Sequence, residues 1–141
     1  MAAPYTPIIG TLGYLWDRGA DAVLMVHRIA RAHDEQFGKY NGLGGKLEPS
    51  EGVAAGMRRE LHEEAAVEVT SMRLRGTVSW PGFGPNGEDW LGFVFLVDGW
   101  DGDPPPHNGV GTLSWVPRSR LLQTCSRDDV VRNDAELPMW E

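Results

Sequence analysis

The sequence predicts a mixed α+β domain, with helices packed on a sheet that is not purely parallel. Short runs rich in Val, Ile, Leu, Thr, Phe and Trp are spread along the chain between clusters of Gly, Pro, Asn and Asp. Among them sits one long stretch with helical spacing, and some of the neighbouring strand runs are joined by connections of hairpin length. At 141 residues, 41% of them apolar, the chain suits a single domain with its own core.

From Ile8 to Trp16 and from Ala22 to Val26, two apolar runs flank the polar segment Asp17-Arg18-Gly19-Ala20-Asp21, which predicts an antiparallel β-hairpin. Ile29 to Lys39 has little periodicity. It reads as a surface loop leading into the glycines Gly42, Gly44 and Gly45 and rimming whatever site follows. Ser50 is a good helix N-cap, with Pro49 before it and Glu51 favourably placed for the first turn. Val53, Met57 and Leu61 then recur every four residues beside Ala54 and Ala65, giving an amphipathic helix of about four turns. Val67 to Trp80, Trp90 to Val97 and Thr112 to Val116 read as strands. Pro81 to Gly87 reads as a hairpin loop and Asp98 to Gly111, with its three prolines, as a longer one. Pro117 to Leu122 begins a short helix, and no internal repeat or linker divides the chain.

Composition narrows the function. The 13 Lys and Arg against 20 Asp and Glu give a net charge of −7, which argues against binding a nucleic acid polymer through its phosphates. An anionic substrate would need a cation. The single Cys125 cannot build a disulfide framework or a thiolate metal site. No run approaches the roughly 20 apolar residues of a membrane span, and the first residues show no basic-then-apolar leader, so a soluble cytoplasmic protein is expected.

Glu60, Glu63 and Glu64 stand at i, i+3 and i+4, so their carboxylates project from one helix face within reach of one another. Such like charges repel. They either form a solvated acidic face or surround a hard divalent cation such as Mg²⁺ or Mn²⁺, which takes oxygen ligands together with substrate phosphates. The context favours the cation. Gly45, five residues, Glu51, seven residues and Arg59-Glu60-Leu61-His62-Glu63-Glu64-Ala65-Ala66-Val67 resemble the Nudix box. Every defined position of the box matches except its last glycine, which is Ala66 here.

The resemblance implies a Nudix-type α/β/α sandwich with a mixed β-sheet. It also implies hydrolysis of a nucleoside diphosphate linked to another group, by water attacking phosphorus. In that scheme Glu60, Glu63 and Glu64 hold Mg²⁺, Gly44 lends its carbonyl, and Arg59 holds Glu51 in place. One of the box glutamates, Glu63 in this reading, can instead take the proton of the attacking water, and the sequence leaves open which glutamate does so. Ala66 must continue the helix or adopt a left-handed conformation, and a slightly shifted helix end is expected. Val110 stands where many relatives carry a further acidic residue.

Lys39-Tyr40-Asn41-Gly42-Leu43-Gly44-Gly45-Lys46 is also similar to the subgroup of oxidised-purine nucleoside triphosphate diphosphatases, the MutT-like enzymes. Pro138-Met139-Trp140-Glu141 resembles the Trp-plus-acid segment of the same subgroup, and the likeness implies that Asn41 reads a purine edge, that Trp140 stacks on the base, and that Asn41 and the acid Glu141 give the selectivity. An Asn amide offers a donor and an acceptor to neighbouring purine atoms, and an indole face stacks on any base. Other uses stay open: Asn41-Gly42 is a good turn pair and Trp140 a core cap. Arg28, ending the second strand, meets a phosphate or lies solvated, and Trp80 walls a base pocket or packs in the core. Lys46 favours phosphate. His27, His33, His62 and His107 lack mutual metal-ligand spacing and read as surface or packing residues.

The leading expectation is Mg²⁺-dependent hydrolysis of oxidised purine dNTPs such as 8-oxo-dGTP to monophosphate and pyrophosphate. A second is the same chemistry on ADP-ribose, a dinucleoside polyphosphate or another nucleoside diphosphate derivative. A third is a Nudix module that binds a nucleotide without cleaving it. The intact Glu51, Arg59, Glu60, Glu63 and Glu64 argue against the third.

Overall fold

The computed structural model describes residues 2–30, 32–33, 38–124 and 140. Glu141 and Cys125 lie outside the described residues. The chain forms β1 (Ile8–Asp17), β2 (Ala22–His27), β3 (Tyr40–Asn41), β4 (Leu43–Lys46), α1 (Val53–Ala65), β5 (Glu68–Trp80), β6 (Trp90–Asp101) and β7 (Thr112–Pro117). A 3-10 turn (Arg118–Arg120) and the short α2 (Leu121–Thr124) follow. Strand order is β3-β2-β1-β6-β5, with β4 added on β1 and β7 on β2. The sheet is mixed because β1 runs parallel to β6, from Ile8 opposite Trp90 to Leu15 opposite Val97, while every other pairing is antiparallel.

Alternation along the central strands feeds two cores, one on each face. Tyr14, Val23, Met25, Val94 and Leu96 form the first, closed by Val116 and by Leu121 of α2. Leu15, Leu24, Val26, Phe95 and Val97 form the second, against Met57, Leu61 and Ala65 of α1. This is the α/β/α sandwich of the Nudix fold. No described helix is long and apolar enough to cross a membrane.

The hairpin expected from β1 and β2 closes only beside its turn, where Trp16 faces Val23 and Asp17 faces Ala22. Beyond that the two strands part, and each leaves an open edge. The glycine segment fills both edges, β3 against Val26 and His27 and β4 against Gly10 to Gly13. The glycine segment, to which the sequence assigns no element, is therefore strand, because unpaired backbone beside it demands partners. The loop expected from Asp98 likewise begins later, since β6 continues to Asp101 opposite Glu68.

Both ends of α1 differ from expectation. Ser50 is not the N-cap: it turns with φ 66°, and the helix starts after Gly52 with no side-chain cap. Glu51 consequently lies before the first turn, and Ala54 is exposed rather than part of the buried stripe. At the other end the helix stop is not shifted. Ala66 takes the left-handed conformation itself (φ 56°, ψ 36°), and its N–H returns to the His62 carbonyl at 3.1 Å. A Cβ there costs about 1–2 kcal/mol, which glycine would avoid while losing more chain entropy on folding. Ala66→Gly should therefore raise the unfolding free energy in urea by about 0.5–1 kcal/mol, and a loss of stability would contradict this assignment of the helix end.

Candidate active site

Arg59, half-way along α1, is the hub of the acidic face. Its Nε and Nη2 grip Glu51 in a two-pronged pair, at 2.7 Å to Oε2 and 2.9 Å to Oε1. Its Nη1 donates to Glu60 at 3.1 Å and Glu63 at 3.2 Å, and Nη2 also donates to the Lys46 carbonyl at 3.2 Å. The fork fits carboxylates in a way an ammonium cannot. Hydrogen bonds from Arg59 and from the Glu48 backbone N–H hold the Glu51 carboxyl down at about 2, and Glu51 in turn pushes the Arg59 guanidinium pKa up. Arg59 thus holds Glu51 in place, as the box resemblance implies. This pairing also explains the missing N-cap: Glu51 accepts from the Glu48 N–H and from Arg59, so the chain turns at Ser50 before the helix can begin.

Glu64 faces elsewhere. Its Oε2 accepts the Gly44 N–H at 3.3 Å, linking the end of α1 to β4. Burial is the main cause that lifts its carboxyl to about 7; the Glu60 charge adds to this, and the Arg28 charge opposes it. Burial also raises Glu60, although Arg59 works against the rise. Close packing explains the two glycines: a Cβ on Gly44 would run into the Thr11 carbonyl, and one on Gly45 would lie 2.5 Å from Glu60 Oε1.

The three glutamates do not converge in the way their spacing suggests. Glu60 and Glu63 turn to Arg59 while Glu64 turns to Gly44, and among the described residues no three His, Cys, Asp or Glu groups form a ready ligand set. Repulsion between like carboxylates is relieved at the cation within reach, which is the guanidinium. The donors nevertheless suit a hard divalent ion, since all are oxygens and the raised Glu60 and Glu64 show anionic charge held at a cost that such an ion would reverse.

The residues expected to meet the nucleotide fall on two faces. Asn41 lies opposite Val26, which belongs to the α1-side core, so it shares the face of the acidic helix. Arg28 follows β2, with its backbone tied to Lys39 and Gly38, and its charge reaches Glu64. Lys46 ends β4 with an exposed side chain. Trp80 and Trp140, by contrast, pack on the other core, Trp140 with its ring edge-on to Trp16 at 5.5 Å. The structure does not bring them to the Asn41 face, and the packing supports their use as core aromatics. His27 is a packing residue, stacked on Tyr40 at 4.1 Å, and His62 pairs with Glu68 at the surface.

Sequence reasoning missed Asn108. Its Nδ2 donates to the Glu64 carbonyl at 3.0 Å, and its Oδ1 accepts from Val110 and Gly111. An Asn beside a Gly signals a turn, but nothing in the sequence links it to α1.

Comparison with known proteins agrees with this geometry. The NUDIX domain model matches residues 6–138. The chain belongs to the Nudix domain family, and it has the fold and acidic helix of a Nudix hydrolase; such hydrolases generally use divalent metal ions. The oxidized purine nucleoside triphosphate hydrolase of Danio rerio is 33% identical over 67 residues, which are 48% of this chain and 42% of that protein. The chain thus matches less than half of that relative's length. Among solved structures, the MutT NUDIX hydrolase of Burkholderia pseudomallei superposes with a TM-score of 0.76 at 24% identity, over 94% of this chain and 98% of the other. The NUDIX domain of Shewanella oneidensis NrtR, in complex with ADP ribose, gives 0.69 at 18% identity, over 85% and 79%.

The Glu64 shift has a stability consequence. Its carboxyl is raised from 4.5 to about 7, so folding favours the protonated form. The stability this gives is complete below the ordinary value and is lost as the pH rises through about 7. With chelator present, the melting temperature of Glu64→Gln should gain on the wild type as pH rises from 4.5 to 8. A constant difference across that range would contradict the buried, charge-crowded setting of Glu64.

Proposed function

We propose that this protein hydrolyses nucleoside triphosphates to monophosphate and pyrophosphate with Mg²⁺ or Mn²⁺. We further propose that oxidised purine dNTPs such as 8-oxo-dGTP are its preferred substrates, so that it clears damaged nucleotides from the cytoplasmic pool. The observation that carries the reading is the acidic face itself: Glu60 and Glu63 gathered at Arg59, with Glu64 buried against Gly44 and its carboxyl raised to about 7. A surface helix gains nothing from such crowding, whereas a pyrophosphate cleaved by water needs a cation between its own charge and the protein's.

In this reading Glu60, Glu63, Glu64 and the Gly44 carbonyl would hold the cation, which when bound would neutralise the phosphates and lower the pKa of water. Glu63, more exposed than Glu60 and Glu64, takes a proton from the water as the water oxygen bonds to phosphorus. A bridging P–O bond breaks and its electron pair goes to the leaving group, monophosphate or pyrophosphate according to the phosphorus attacked. Arg59 keeps Glu51 in position, and Arg28 adds positive charge for the phosphates. Asn41, on the same sheet face as the acidic helix, offers its amide to the purine edge. The likeness of Lys39 to Lys46 to the oxidised-purine subgroup and the relative in Danio rerio support this choice of substrate.

A second reading keeps the chemistry and changes the substrate to ADP-ribose or a dinucleoside polyphosphate; the fold shared with the NrtR domain that binds ADP ribose favours it. A product-resolved assay with Mg²⁺ separates the readings. Oxidised purine dNTPs should give monophosphate and pyrophosphate faster than ordinary dNTPs, ADP-ribose or diadenosine polyphosphates. Glu63→Gln should lower turnover by about 10²–10⁴-fold while retaining nucleotide affinity. Faster cleavage of ADP-ribose would overturn the substrate assignment, and undiminished turnover in Glu63→Gln would remove that residue from the proton transfer.

A further inference from the structure

Helix α1 ends at the residues that matter most to the acidic face. The last carbonyls of a helix have no intrahelical donor, and a frayed last turn would leave the Glu64 side chain without a fixed place. Two bonds tie this end: the Ala66 N–H returns to the His62 carbonyl, and the Glu64 carbonyl takes the Asn108 amide at 3.0 Å, from 44 residues further along the chain.

Asn108 is itself firmly held. Its Oδ1 accepts the Val110 N–H at 2.9 Å and the Gly111 N–H at 3.1 Å, and its own N–H donates to the Gly111 carbonyl at 2.9 Å. That turn is fastened in turn to the end of β2, because the Val110 carbonyl accepts the Ala30 N–H at 3.2 Å. A Cβ on Gly111 would collide with the His27 carbonyl, so the turn lies directly on the strand. Arg28 lies within this same stretch, and its charge acts on Glu64. One amide side chain therefore ties the backbone of Glu64 to the segment that carries Arg28, whose charge opposes its own.

We propose that Asn108 is a positioning residue for the acidic site: by holding the Glu64 carbonyl, it sets Glu64 against the Gly44 N–H and beside Arg28. Its Nδ2 bond fixes the helix end, and its Oδ1 bonds fix the turn from which that end is held. The two roles reside in different atoms and can be separated. The positioning claim concerns the protein by itself; its consequence for cation binding rests on the function proposed above.

Asn108→Ser tests it, because a Ser hydroxyl can still accept from turn N–H groups but is too short to reach the Glu64 carbonyl. Asn108→Asp is the second variant, keeping the acceptor and losing the donor, in case the first fails to fold. The primary readout is hydrogen exchange of the Gly44 amide without metal, since that N–H donates to the Glu64 carboxylate while the hydrogen bonds of Asn108 go to Glu64, Val110 and Gly111. Exchange at Gly44 should quicken about fivefold to tenfold, the factor for losing one hydrogen bond, while the amides of Val110 and Gly111 stay protected. Mn²⁺ affinity by titration calorimetry should fall by a similar factor. Unchanged exchange at Gly44 in a folded variant would overturn the proposal and leave Asn108 as a turn former. If the wild type bound no Mn²⁺ while Gly44 exchange still quickened in the variant, the functional reading would fail and the positioning claim would stand.

Discussion

The site depends on one constraint: several carboxylates must be kept close together on a single helix without driving it apart. Arg59 meets the first part of that demand with a fixed planar fork, which grips Glu51 from before the helix and draws Glu60 and Glu63 from within it. Glu64 lies beyond the fork and is held by a backbone N–H instead. The result is a set of negative groups that is structured but undercompensated, as the upward shifts of Glu60 and Glu64 express. A hard cation completes such a set. The same groups that would hold it are those the protein keeps apart through Arg59 and Gly44.

The sheet serves this arrangement by its edges more than by its centre. Where β1 and β2 part, β3 and β4 are drawn into the gap, and this carries Gly44 to α1 and places Asn41 on the helix side. The aromatic residues Trp16, Trp80 and Trp140 pack against the other core. The acidic helix face and Asn41 thus gather on one face while the opposite face supplies rigidity. A shift of one residue in the register of β3 would send Asn41 to the wrong side.

The parts of the molecule that were legible beforehand are those encoded by spacing. Glu51, Arg59, Glu60, Glu63 and Glu64 sit at fixed intervals, the apolar period of α1 and the runs of β1, β2 and β6 announced a mixed α+β domain, and the resemblance to the Nudix box implied the sandwich. What escaped depends on contacts distant in sequence. Ser50 has the chemistry of a cap, yet the Glu51–Arg59 pair overrides local preference. Tyr40-Asn41 and the glycines after it have no apolar alternation, and they are strands only because neighbouring edges lie open. Two residues of strand cannot show which face each side chain takes, so the separation of Asn41 from Trp80 and Trp140 could not be read in advance. Asn108 looked like any turn residue because its partner lies 44 positions away.

The central claim is that the acidic end of α1 is built to hold a divalent cation. Its most direct test is a crystal of the protein soaked in Mn²⁺ and measured for the anomalous signal of manganese. The account predicts a peak against the carboxylates of Glu60, Glu63 and Glu64 and the carbonyl of Gly44, with Glu60 and Glu63 turned away from Arg59 and the Arg59–Glu51 pair unbroken. A crystal with no peak there, and with Glu60 and Glu63 still on the guanidinium, would contradict it.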